Sequence, residues 1–284
     1  MKIVSSVKVT HQAVLKFKEK NLKVGFVPTM GFLHEGHASL LRKSKKDNDV
    51  TVLSIFVNPL QFGPSEDFKN YPRNIKKDEL LAKKENVDII FYPSVDEIYP
   101  TDFLSHVDVD VLSEQLCGGS RPGHFRGVAT VVLKLINIVG PDVIYLGQKD
   151  AQQAIIIRKM VDDLNVPVRV SIRPTVRESD GLAMSSRNSY LTPQERSQAG
   201  VLYQALLKAK QLVLSGERRV SRIIACMKQS IETATTGQID YIQCVNAKNL
   251  ERLDRINGEV LIALAVKFGR ARLIDNIILN VNEK

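Results

Sequence analysis

Hydrophobic positions along the first 172 residues alternate between two patterns. Short runs rich in β-branched residues predict strands at 24–27, 50–56, 88–92, 143–146 and 168–172. Longer stretches with helical spacing predict helices between them, at 37–46, 76–85, 128–139 and 152–164. Strands that alternate with crossover helices are typical of a parallel sheet, so we expect a doubly wound α/β domain here.

The pattern changes in the last third of the chain. Thr192, Pro193 and Glu195 have the spacing of an N-cap, an N1 proline and a capping-box glutamate, and they predict a long helix through residue 213. A second helix is predicted at 220–233, followed by strands at 241–245, 260–266 and 273–279. We therefore expect two domains, 1–175 and 176–284, the second a smaller α+β domain with an antiparallel sheet.

Composition agrees with a folded protein. The 284 residues are 44% hydrophobic and 25% charged, which argues against a disordered or low-complexity chain. The three cysteines, Cys117, Cys226 and Cys244, form no CxxC pair, so neither a disulfide framework nor a zinc-finger spacing is indicated. The sequence contains no signal-like apolar segment at its start and no apolar run near the roughly 18 residues of a membrane span, so we expect a cytoplasmic protein with no membrane association.

The net charge of +9 leaves nucleic acid, an anionic membrane surface and small anionic substrates open as partners. Tryptophan is absent and aromatic residues make up 6% of the chain, which argues against a stacking surface for single-stranded nucleic acid.

The first candidate motif, PTMGFLHEGH at 28–37, lies directly between a predicted strand and the next helix. His34 and His37 are three residues apart and share one helical face, Gly36 lets a ligand approach the backbone, and the helix N-terminus offers N–H groups to phosphate. The spacing is not the HExxH of zinc sites, and neither Walker A nor GxGxxG occurs. The alternative is two ordinary surface or core histidines.

The second motif, GQKDAQQ at 147–153, also joins a strand to a helix. Such a position faces the ligand crevice of an open sheet. Lys149 can neutralise phosphate, Asp150 can cap the helix or bind a hydroxyl, and Gln153 can hydrogen-bond a small polar substrate. An ordinary solvated helix cap is the alternative.

The third motif, RESDGLAMSSRN at 177–188, combines a Gly/Ser loop with a terminal cation. A mobile loop of this kind can close over a triphosphate and deliver Arg187 to developing charge. Read by itself, the same stretch is also compatible with an interdomain linker that contains a turn.

Together, the HxGH corner and the Met-Ser-Ser-Arg version of a KMSKS loop resemble the nucleotidylyltransferase superfamily. Further blocks are similar to the pantoate–β-alanine ligase family, and the similarity spans essentially the whole chain. These blocks are FVNPLQF at 56–62, Glu66-Asp67, YPR at 71–73, SRPGHFRGV at 120–128, GEVLIA at 258–263 and RLIDN at 272–276. The last two are also compatible with core packing.

The resemblance implies a Rossmann-like fold and a two-step ligation of pantoate and β-alanine that uses ATP and Mg²⁺. Pantoate would be activated as a bound adenylate, and no enzyme nucleophile is required. The resemblance also implies a homodimer formed through the N-terminal domain. It identifies no metal ligand.

The resemblance further implies a set of site residues. His34, His37, Lys149 and Arg187 would be catalytic. The implied ATP contacts are Met30, Gly31, Phe32, Leu33, His34, Glu35, Gly36, His37, Gly147, Gln148, Lys149, Asp150, Val176, Met184, Ser185, Ser186 and Arg187. Gln61 and Gln153 would hold pantoate, Gln61 would also lie near β-alanine, and Asn58, Tyr71 and Arg121 are further pocket candidates. Gln148 departs from the pattern, since many family members have glutamate there.

Two other functions are alternatives to the ligase. One is a nucleotide adenylyltransferase that acts on a phosphate ester. A phosphate-bearing cosubstrate should require more cationic side chains, so the neutral amides of Gln61 and Gln153 argue against this function. A basic RNA-binding protein would account for the charge, yet no RNP, KH or zinc-knuckle pattern occurs. We therefore expect small-molecule substrates and no nucleic-acid partner.

Overall fold

The protein is described by a computed structural model that covers residues 1–64 and 66–281. It forms two compact units. Unit 1 contains Met1–Glu114, Gly118–Gly147 and Gln153–Pro174, and unit 2 contains Gln115–Cys117, Gln148–Gln152 and the described part of Thr175–Lys284.

Unit 1 is built on a six-stranded sheet in which all recorded strand pairs are parallel. Its strands are β1 (Lys2–Val4), β2 (Val24–Thr29), β3 (Val50–Ile55), β4 (Ile89–Phe91), β5 (Val143–Gly147) and β6 (Arg169–Arg173). The strand order is β1-β4-β3-β2-β5-β6. This arrangement confirms the doubly wound α/β fold.

The helices in this part of the chain are α1 (Val7–Lys18), α2 (Glu35–Asp47), α3 (Ile75–Lys84), α4 (Val95–Ile98), α5 (Cys117–Ser120), α6 (His124–Val139) and α7 (Ala151–Asp163). Every residue of β3 is buried, as expected of a strand covered by helices on both faces. The sequence pattern missed β1 and α1. β1 has only three residues, two of them exposed, and α1 has only two buried residues.

The order of the strands creates a switch point between β2 and β5. The chain proceeds from β2 to β3 and β4 on one side, whereas β5 and β6 extend the sheet on the other. Ligands of open α/β sheets bind at the carboxyl ends of strands beside such a point. Thr29 and Gly147, the last residues of β2 and β5, end there.

Unit 2 combines three helices with an antiparallel sheet of order β7-β8-β9. Its elements are α8 (Pro193–Ala199), α9 (Val201–Leu214), α10 (Val220–Ala234), β7 (Gln238–Asn246), β8 (Gly258–Phe268) and β9 (Ala271–Val281). Buried residues of α9, α10 and β8 form one hydrophobic core. The smaller α+β region with an antiparallel sheet is thus confirmed.

One helix prediction in unit 2 was wrong in extent. The long helix predicted from Pro193 is two helices, α8 and α9, which meet at Gly200. Glycine has the lowest helix propensity after proline, so an interruption at this position has a local cause. The predicted start is correct, because Thr192 and Glu195 form a reciprocal capping box.

No helix within 1–64 and 66–281 is long and apolar enough to cross a membrane.

Candidate active site

The chain turns sharply between β2 and α2. Gly31 has φ of +83° and Phe32 has φ of +51°, both in the left-handed region. Asp78 of α3, 1% exposed, accepts hydrogen bonds from the backbone N–H of Phe32 at 2.9 Å and of Leu33 at 2.7 Å. One carboxylate from a distant helix therefore holds the corner in place.

Burial raises the pKa of Asp78, and the two backbone N–H groups oppose this effect only in part. Asp78 is not among the site residues predicted from the sequence. The one available signal is its spacing. Asp78 lies four residues before Ala82, so the two share one face of α3, and they are the buried residues of that helix.

His34 and His37 lie together at the start of α2, with ring centroids 4.1 Å apart. The Nδ1 atom of His34 accepts the Gly36 N–H at 3.2 Å, and the Nδ1 atom of His37 accepts the His34 N–H at 3.3 Å. A neutral imidazole that accepts at Nδ1 carries its hydrogen on Nε2. The backbone therefore selects a tautomer in which each Nε2 is a donor, which suits an anionic group.

Gln61 lies at the end of a short 3-10 helix, Pro59–Gln61, and is 9% exposed. Its side-chain Oε1 accepts from Asn58 Nδ2 at 3.1 Å, and its Nε2 lies 3.2 Å from Met30 Sδ. The structure thus brings together two predicted site residues, Gln61 and Met30, from motifs that are separate in the sequence.

The backbone of Gln61 is held by two further side chains. Arg121 donates to its carbonyl oxygen at 3.2 Å while its guanidinium contacts both carboxylate oxygens of Glu66, at 2.6 and 2.7 Å. His124 Nδ1 lies 2.7 Å from the same carbonyl oxygen. Arg121, a predicted pocket residue, therefore supports the Gln61 segment. Tyr71, also predicted, is buried with its ring 5.9 Å from that of Phe62.

A cavity of about 180 Å³ borders the corner in unit 1. Met30, Gly31 and Asp78 contribute to its wall, together with Phe56 just after β3 and Tyr92 just after β4. It is smaller than the sites of drug-sized ligands, and its volume suits a small metabolite. Gln153, the second residue predicted to hold pantoate, is half-buried on α7.

In unit 2, Gln148 and Lys149 of the second motif are held by Asn276 of β9. The side-chain amide of Asn276 donates to the backbone oxygens of Gln148 and Lys149, both at 3.0 Å, and accepts from Gln148 Nε2 at 3.1 Å. The Lys149 ammonium lies 3.5 Å from Asp150 Oδ1. The 272–276 block was expected to be compatible with core packing, and its Asn276 also orders the backbone of two predicted ATP-binding residues, Gln148 and Lys149.

The third motif is a folded part of unit 2. The Val176 carbonyl accepts from the Met184 N–H at 3.0 Å. Ser185 caps a 3-10 helix, Ser186–Tyr190, by accepting the Arg187 N–H at 3.3 Å. The sequence-predicted residues of this motif are therefore next to one another in a defined turn.

Ion pairs anchor that turn on both sides. Arg177 donates to both carboxylate oxygens of Asp275, at 2.6 and 2.9 Å, and burial raises the pKa of Asp275 despite this partner. Arg196 of α8 bonds Glu178 at 2.7 Å and Asp180 at 2.5 Å. The hydrogen bond from Arg196 holds the pKa of Asp180 below its ordinary value.

No group of three or more His, Cys, Asp or Glu side chains suited to a metal occurs within the described ranges.

Comparison with known proteins gives a consistent result. The family model for pantoate-beta-alanine ligase matches residues 2–278. The chain is 54% identical to a pantothenate synthetase of Caldicellulosiruptor saccharolyticus, over 99% of this chain and 100% of the relative. It is 52% identical to the pantothenate synthetase of Thermotoga neapolitana, over 98% of this chain and 100% of the relative.

Solved structures agree with the sequence comparison. The crystal structure of pantothenate synthetase from Thermus thermophilus superposes with a TM-score of 0.93, at 42% identity over 98% of this chain and 99% of that one. A pantoate-beta-alanine ligase from Francisella tularensis, complexed with beta-gamma ATP and beta-alanine, gives a TM-score of 0.81 at 35% identity, over 98% and 97% of the two chains.

Proposed function

The chain belongs to the pantoate-beta-alanine ligase family, and from that premise we propose that it condenses pantoate with β-alanine at the expense of ATP, through a bound pantoyl adenylate. The proposal rests on the match of the family model to residues 2–278. The paired histidines at the β2–α2 corner, beside the switch point of the sheet, agree with it. The family neighbour complexed with beta-gamma ATP and beta-alanine supports ATP as a substrate.

The proposed reaction has two steps. An oxygen of the pantoate carboxylate attacks the α-phosphorus of ATP, a new O–P bond forms, and the bond to the β-phosphate breaks to release pyrophosphate. The amine of β-alanine then attacks the acyl carbon, loses a proton and displaces AMP, which leaves pantothenate. Neither step needs a covalent bond to the protein, so its contribution is positioning and the neutralisation of phosphate charge.

In unit 1, we assign the phosphates to the corner at Met30–His37, where the Nε2 atoms of His34 and His37 and the N-terminus of α2 offer hydrogen-bond donors to anionic oxygens. The amides of Gln61 and Gln153 would hold pantoate, and Gln61 would also lie near β-alanine. We propose residues 1–175 as the ATP- and pantoate-binding domain.

We assign further ATP contacts to Gly147, at the end of β5 in unit 1, and to 148–150, Val176 and 184–187 in unit 2. Lys149 and Arg187 would neutralise phosphate charge, and Ser185 and Ser186 would donate hydrogen bonds to it. We propose residues 176–284 as the lid domain, which closes over ATP through the segment 180–188.

Magnesium enters this scheme with the nucleotide. Mg²⁺ commonly binds through one or two carboxylates together with substrate phosphates and waters, and it needs no cage made of protein ligands alone. We therefore treat Mg²⁺ as part of the MgATP substrate.

A cytoplasmic homodimer completes the proposal, with the interface on the N-terminal domain. The dimer is tested by sedimentation equilibrium at micromolar concentration, where a mass of one 31.8 kDa chain would overturn it.

The function itself is tested by product analysis. The purified protein is incubated with pantoate, β-alanine and MgATP, and pantothenate, AMP and pyrophosphate are quantified over time. We expect all three in equal amounts, and none when pantoate is omitted. Formation of ADP and phosphate in place of AMP would contradict activation through an adenylate.

A further inference from the structure

We propose that Tyr99 and Asn58 form a positioning relay that fixes the side-chain amide of Gln61 with its NH₂ group, and not its oxygen, presented to substrate. The relay rests on the proposed function, because Gln61 is the residue assigned to pantoate. It adds Tyr99, which no sequence motif indicated, and it assigns to Asn58 the role of orienting the side chain of Gln61.

The orientation of Asn58 is set by two backbone groups. The Leu60 N–H, which can only donate, lies 3.3 Å from Asn58 Oδ1. The Gly127 carbonyl, which can only accept, lies 3.0 Å from Asn58 Nδ2. A reversed amide would face donor to donor at one contact and acceptor to acceptor at the other, and Asn58 is 1% exposed, so water cannot compensate.

This orientation determines the roles of both neighbours. The second hydrogen on Asn58 Nδ2 points to Gln61 Oε1 at 3.1 Å, so Gln61 must present its oxygen there and its NH₂ group on the other side, toward Met30. The Tyr99 hydroxyl, 2.9 Å from Asn58 Oδ1, must act as a donor because that oxygen only accepts. Burial raises the pKa of Tyr99, which keeps the hydroxyl protonated.

The consequence is a chemical preference at Gln61. An NH₂ group pairs with an acceptor such as a carboxylate or hydroxyl oxygen, and it cannot pair with an ammonium group, which only donates. Pantoate offers carboxylate and hydroxyl oxygens, and β-alanine offers its own carboxylate oxygens, whereas the reactive nitrogen of β-alanine is only a donor until it loses a proton. The relay therefore directs the Gln61 amide to substrate oxygens and away from the amine.

The test replaces the amide of Asn58, which donates to Gln61, with a carboxyl group that can donate only when it is protonated. In Asn58→Asp the ionised carboxylate cannot donate to Gln61 Oε1, so the Gln61 amide reverses and offers oxygen to pantoate. We expect the KM for pantoate to rise about 10- to 100-fold at pH 8, with kcat changed less. A buried carboxyl has a raised pKa, so at lower pH its O–H donates again, and the ratio of the variant KM to the wild-type KM should fall as pH is lowered to 5.5.

Asn58→Ala is the matched control, since it removes the relay and supplies no titrating group. Its KM ratio to wild type should be independent of pH. A ratio for Asn58→Asp that is equally flat, with both variants folded by thermal melting, would overturn the relay.

Tyr99→Phe provides a milder test if Asn58→Asp does not fold. It removes one hydroxyl, and we expect a three- to tenfold rise in the KM for pantoate with the KM for ATP within twofold of wild type. An unchanged KM for pantoate would overturn the relay. Wild-type protein that forms no pantothenate would instead contradict the proposed function, so the two failures are distinguishable.

Discussion

Asp78 offers a sharp test of how the candidate site is built, because one side chain holds the corner from outside it. In Asp78→Asn one oxygen can keep one of the two backbone hydrogen bonds to Phe32 and Leu33. The other carboxylate oxygen becomes an NH₂ group that faces a backbone N–H, so two donors meet in a buried place.

The magnitude follows from these contacts. A buried donor left without an acceptor costs about 1–3 kcal/mol. Part of this cost is offset, because the raised pKa of Asp78 means that its ionised form already carries a desolvation penalty that the amide avoids. We expect a net effect of about 1–2 kcal/mol, which corresponds to roughly a 5- to 30-fold loss in kcat/KM for ATP if the corner must be ordered for catalysis.

The assay compares steady-state kinetics and thermal melting of Asp78→Asn with those of Glu79→Gln. Glu79 is the next residue of α3, is half-exposed, and makes no side-chain hydrogen bond within the described residues, so its change to an amide should alter kcat/KM by less than about twofold. If Asp78→Asn matched this control in both kinetics and melting temperature, Asp78 would have no part in holding the corner.

The remaining predictions concern phosphate chemistry, packing and closure. His37→Ala and Lys149→Ala should each lower turnover by roughly 10²- to 10⁴-fold with unchanged circular dichroism, and a wild-type rate would remove that residue from the catalytic set. Gly127→Ala places a Cβ 2.3 Å from the backbone oxygen of Leu60, and it should lower the free energy of unfolding in urea by about 1–3 kcal/mol. The control is Gly119→Ala, whose Cβ would lie 3.5 Å from its nearest atom and should not destabilise the fold. Equal stabilities of the two variants would count against this packing. An ATP analogue with pantoate should protect 180–188 from proteolysis, and identical cleavage with and without ligands would argue against closure.

The sequence predicted most of the fold because its signals are local. Buried strands such as β3 are short runs rich in apolar and β-branched residues, and the capping box at Thr192 and Glu195 lies within four residues of chain. β1 was not predictable in the same way, because three residues with two exposed side chains carry no periodic signal. Its place in the sheet depends on pairing with β4, far along the chain.

The candidate site divides along the same line. Motif residues such as His34 and Lys149 could be named from their position between a strand and a helix, and their roles remain predictions. The side chains that hold those motifs could not be named, because their partners are distant in sequence. Asp78 acts 46 residues from Phe32, and Asn276 acts 128 residues from Gln148. No local pattern encodes such contacts.

The most direct test of the central claim is exchange of labelled pyrophosphate into ATP, measured with pantoate and Mg²⁺ present and β-alanine absent. If pantoate is activated as an adenylate before the amine reacts, the label should appear in ATP at a rate that depends on pantoate and vanishes without it. Absence of exchange under conditions in which the same preparation makes pantothenate would contradict the adenylate mechanism.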